Sequence, residues 1–157
     1  MQAQMPTGLS GPSRSATEDT IGAAGPGDFL RAAALTAVAA VVADLAVFFV
    51  AAARSDVPGD LGAMFNPVMI VVAAVVGVVV ATIGLAVLVR VSSRPTQIFT
   101  TAAVVLTLLS LAAPVQALAG AMPGMPAATT ATGVSMIAMH LITGGLIAGL
   151  LPAPARR

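Results

Sequence analysis

Residues 67–89 read PVMIVVAAVVGVVVATIGLAVLV and are followed at once by Arg90. Within this stretch Thr82 is the single hydroxyl and no side chain is charged. A helix rises by about 1.5 Å per residue, so a segment of this length crosses the roughly 30 Å hydrocarbon core of a bilayer. Val, Ala, Ile, Leu and Gly fall at every angular position, and a helix that is apolar all round belongs inside a core or a membrane. Pro67 opens the segment at the first helical position, where a missing N–H is tolerated.

Three further stretches repeat the pattern. One runs over about 30–53, interrupted by Arg31 at its edge, Thr36 and Asp44. A second, about 98–119, carries Thr100, Thr101, Thr107, Ser110 and Gln116 with Pro114 inside it. The last, about 133–151, holds His140, the only histidine, and stops at Pro152. Each reaches the roughly 17–25 residues that a span needs. The chain as a whole has 157 residues, 58% apolar and 8% charged, and its mean hydropathy is +1.01. An ordinary soluble domain is about 25% charged.

Residues 1–27 are rich in Gly, Pro, Ser and Thr and contain no apolar run, so they bury too little surface to offset the entropy of ordering. They are expected to be a disordered tail, and no cleaved signal peptide is expected. The fold class that follows is all-α, an integral membrane antiparallel four-helix bundle with a disordered N-terminal tail. The bundle should cover 28–152, with a short cytoplasmic tail over 153–157. Short connections make successive spans antiparallel neighbours.

Arginine orients the chain. With an even number of spans both termini and the 90–97 connection share one side, which holds Arg14, Arg31, Arg90, Arg94, Arg156 and Arg157; the other holds Arg54. The positive-inside rule then puts both termini in the cytoplasm of a multi-pass cell-membrane protein. The expected partners are the lipid bilayer and, through Gly/Ala faces, a second copy or another membrane protein. A net charge of +1 with no basic cluster argues against nucleic acid. The chain has no Cys, no Walker loop, no HExxH and no GxSxG, so neither enzyme chemistry nor a cofactor is expected.

Asp44 and His140 stand out, since a charged side chain near the bilayer centre costs at least about 2.5–3.5 kcal/mol. Measured from the predicted span ends, Asp44 is about 14 Å deep and His140 about 10 Å, with Ser110 at a similar level. Ala32, Thr36, Ala40 and Asp44 form one i+4 row. The expectation is a tightly packed bundle with an interior polar cluster of Asp44, Ser110 and His140, and with Ala73, Gly77, Ala81, Gly145 and Gly149 as small contact residues. Pro114 has no N–H to donate to the Ser110 carbonyl, which frees that carbonyl from its helical bond and marks a kink. Phe29, Phe48, Phe49, Phe65 and Phe99 fall near span ends, as in an interfacial belt. The methionines outside the tail, among them Met122, Met125, Met136 and Met139, gather near His140 on the outer side; soft thioethers with one imidazole would suit Cu(I).

The Arg-led first span, the run from Arg94-Pro95 to Phe99, the Ser110-Leu111 to Pro114 segment and Met139-His140-Leu141 together resemble a family of small four-helix membrane proteins of unknown function from high-GC Gram-positive bacteria. The resemblance covers about residues 28–152 and implies a class without an activity. Two functions are consistent with these residues. One is a structural or interaction component of the membrane; the alternative is a small transporter or accessory subunit handling protons or cations through Asp44 and His140.

Overall fold

The computed structural model describes residues 25–54, 65–124 and 126–156. Residues 1–24 of the expected tail, the connection with Asp56 and Asp60, and Met64 and Met125 lie outside them. The described residues are all-α: α1 is Pro26–Ala52, α2 Pro67–Val91, α3 Pro95–Ser110, α4 Ala112–Leu118 and α5 Thr130–Leu150, followed by a 3-10 turn over Pro154–Arg156. Four spans result, of 27, 25, 24 and 21 residues, with α3 and α4 together making the third.

Local chemistry sets the starts. Proline occupies the first position of α1, α2 and α3. Helix α1 begins at Pro26, ahead of the expected boundary, because the Asp28 carboxylate reaches back to accept from Gly25 N at 3.1 Å. Asn66 Oδ1 accepts from Met69 N at 3.1 Å and Thr129 Oγ1 from Thr132 N at 3.2 Å, so α2 and α5 each open on a side-chain cap. The third span breaks where Pro114 lies. Leu111 N bonds back only three residues, to Leu108 O at 3.2 Å, and regular bonding resumes with Val115 N to Leu111 O at 3.1 Å. Gly120, at φ +62°, ends α4 in the left-handed conformation that glycine adopts without strain.

The spans form a ring: α1 packs on α2 and α5, and α3 packs on α2 and α5. The interior row of α1 is Thr36, Ala40 and Asp44, all buried, while Leu30, Leu35, Val38 and Val42 point outward. Small and polar residues inside with large aliphatic residues outside is the arrangement expected of helices in lipid. The four apolar helices are long enough to cross a membrane.

Large side chains gather at the two ends. At the end where α1 begins, here the proximal end, Leu85, Phe99, Ala103 and Leu151 pack with Phe29 and Ile147. At the distal end Phe65, Ile70 and Met139 pack with Leu45, Phe48 and Met136, and the Phe48 and Phe65 rings lie 5.2 Å apart. Phe65 and Phe99 are therefore interior plugs and not members of an interfacial belt; Phe49 alone among the distal phenylalanines is exposed. The aromatic rings sit at the right depth for a belt, but the small neighbours around them leave room to turn inward.

Candidate functional site

Between the two plugs the interior is open. A cavity of about 580 Å³ runs along α2 and is lined on its other sides by α3 and α5, with Asp44 of α1 in its wall; exposed Val80, Leu106 and Ser110 also line it, so it opens at the surface between α2 and α3. The tightly packed interior expected from the small residues is not found. Ala73, Gly77 and Ala81 line the cavity, and a Cβ added at Gly77 would meet nothing within 4 Å. The residues of α2 that are buried against neighbours are Ile70, Ala74, Val78 and Leu85, one step around the helix. Small residues permit close approach without compelling it, and here the diagonal between α2 and α5 is held apart by the plugs.

Close approach is made instead by α5. A Cβ at Gly144 would fall on the Thr107 side chain of α3, and one at Gly133 on Leu118 of α4. Gly145 and Gly149, the spaced pair singled out in the sequence, are exposed and would meet nothing. Successive residues on a helix are about 100° apart, so the contact face is defined by Gly144 and not by its neighbour.

Asp44 is 5% exposed, on the α1–α5 seam. Its Oδ2 accepts a hydrogen bond from Thr143 Oγ1 at 2.6 Å, while its Oδ1 is buried and has no partner. Thr143 is the residue that sequence reasoning missed. It lies three residues beyond His140 and so on the same face, and at about 15 Å from the predicted span end its depth matches that of Asp44 better than His140 does.

His140 lines the same cavity as Asp44, without a hydrogen bond between them. Its Nδ1–H donates to the Met136 carbonyl at 2.7 Å. A carbonyl only accepts, so Nδ1 must carry the hydrogen, and Nε2 is the nitrogen left to take up or release a proton. Ser110 also lines the cavity, but its hydroxyl is spent within its own helix, donating to Thr107 O at 2.7 Å. The cluster of Asp44, Ser110 and His140 thus shares one chamber, with Thr143 as the bonded partner of the carboxylate.

The methionines divide. Met136 and Met139 belong to the distal plug, whereas Met122 packs with Ala117 and Ala128 after α4; Met125 lies outside the described residues. Among the described residues no group of three or more His, Cys, Asp or Glu side chains is placed to hold a metal ion.

Residues 25–157 match a protein family described as a family of unknown function, DUF6069. The chain belongs to this family. The match takes in every span and the whole cavity wall, so the chamber is built from the family's own region of the chain. Neither the curated proteins nor the solved structures contain a match.

Proposed function

We propose that the chain is a multi-pass protein of the cell membrane, with both termini cytoplasmic, that handles a proton or a cation through Asp44 and His140 as a small transporter or accessory subunit. The observation that carries this reading is Asp44 Oδ1, buried without a partner in the wall of an open chamber. A carboxylate kept only to staple two helices would be expected to satisfy both oxygens, because an unpaired polar atom in a dry interior is costly. The imidazole on the same cavity wall, its Nδ1–H held by the Met136 carbonyl, supplies a second nitrogen, Nε2, able to carry a proton. The other reading from the sequence, a structural component, accounts for the hydrogen bond from Thr143 but not for the cavity beside the carboxylate.

The test is flux in proteoliposomes. The wild-type chain should dissipate an imposed proton or monovalent-cation gradient, and Asp44→Asn should abolish that flux. Asparagine keeps a carbonyl oxygen to accept from Thr143, so the variant should remain folded by circular dichroism and gel filtration. A folded Asp44→Asn protein with wild-type flux would overturn the proposal, and a variant that only unfolds would favour the structural reading.

A further inference from the structure

The reading above leaves the ligand open between a bare proton, an inorganic cation and an organic one, and the chamber discriminates among them. Inorganic cations are held by several converging oxygens, six to eight for calcium and rings of carbonyls for potassium. Here the wall carries five side-chain oxygens, two on Asp44 and one each on Thr107, Ser110 and Thr143, spread over three helices with Ser110 exposed, fewer than such a site gathers. Apart from His140 the rest of the wall is apolar, which suits an ion that brings its own hydrocarbon.

The chamber is also long. Its α2 wall extends from Met69 to Leu88, about 28 Å at 1.5 Å per residue, most of a bilayer's thickness. Along it Gly77 and Gly84 leave space that a Cβ would not fill, so the opening is real room beside the helix. A volume of about 580 Å³ falls in the range of sites that hold drug-sized molecules, roughly 300–1,000 Å³. Among the described residues no arginine lines it, and the chain contains no lysine, so its wall offers Asp44 no permanently charged cation.

We propose that this chamber binds an elongated organic monocation, an amphiphile whose ammonium-type head pairs with Asp44 and whose apolar chain lies along the Gly77–Gly84 face of α2 toward the proximal plug. The proposal rests on the reading of Asp44 as an ion-handling group. A buried carboxylate is stabilised by a paired cation and penalised without one, which gives the head its place. The long apolar wall gives the tail its place.

The experiment uses the full chain in lipid nanodiscs and a dodecylamine carrying a diazirine on its terminal carbon, with labelled peptides mapped by mass spectrometry after photolysis. The expected result is saturable labelling of α2, α3 and α5 residues around Leu88, Phe99 and Ile147. Unlabelled dodecylamine should compete, and dodecanol and dodecanoate should not. Asp44→Asn should reduce saturable labelling at least about tenfold. Gly77→Leu, which fills the chamber without a backbone clash, should do the same, with Gly84→Leu as a second filling variant should the first fail to fold. Gly149→Leu, the same change on the outer surface, should leave labelling unaltered. Equal competition by dodecanol would overturn the cationic head, and non-saturable labelling spread over outward residues such as Leu35 and Val42 would overturn the site. Loss of flux in Asp44→Asn together with either of those results sinks the organic cation alone and leaves proton or cation handling standing.

Discussion

Thr143 carries one hydroxyl hydrogen, and the bundle gives it to Asp44. Most other hydroxyls in the spans go to carbonyls of their own helix: Thr36 to Ala32, Thr82 to Val78, Thr107 to Ala103 and Ser135 to Ala131, each at 2.7 Å. That local habit is why a polar residue in a span carries little information about its partners. It is also why Ser110, although at the right depth, makes no bond to the carboxylate. The i+4 row of α1 was legible because burial of small residues has a period, and Thr36, Ala40 and Asp44 do face inward. Thr143 was not legible by residue type, since attention to titratable groups passes over a hydroxyl. At this scale the bond can be weighed. Thr143→Val should lower the unfolding free energy by about 1–3 kcal/mol, because both Asp44 oxygens then lack a partner. In an Asp44→Leu background the same change should cost less than about 1 kcal/mol. A double-mutant cycle measured by reversible unfolding in bicelles reads the difference, and equal costs in the two backgrounds would mean the bond contributes nothing.

Between elements, the seam of α5 with the third span depends on glycine. Gly144 lets Thr107 approach, and Gly133 does the same for Leu118. Gly144→Ala should destabilise the bundle by about 1–3 kcal/mol through overpacking. Gly145→Ala and Gly149→Ala, facing outward, should fall within about 0.5 kcal/mol of wild type. Thermal unfolding in detergent ranks the three, and a Gly145→Ala cost equal to that of Gly144→Ala would show that the seam lies on the other face. The existence of four spans was plain from apolar run length, and the interruption at Leu111 from Pro114. Which small residues make contact was not, because a glycine marks where a neighbour is permitted, and rotation by a single residue decides whether one arrives.

For the whole molecule, the arginine pattern predicts an orientation that labelling can test. Ser55→Cys and Ala128→Cys should react with an impermeant maleimide added outside intact cells, and Ser92→Cys should react only after the cells are opened. Labelling of position 92 from outside would reverse the orientation drawn from the arginines. The chamber was the largest feature hidden from the sequence. Apolar side chains predict that helices associate but not that the volume between them is filled, and here the filling is concentrated in the two plugs. The hydrogen bond that closes the ring has a further consequence, for the order in which the chain is made. Asp44 and Thr143 are 99 residues apart. At ribosomal rates of about 5–20 residues per second, the carboxylate enters the membrane some 5–20 s before its partner is synthesised. During that interval Asp44 has no bond from Thr143, so the Asp44–Thr143 contact is among the last that the bundle can form.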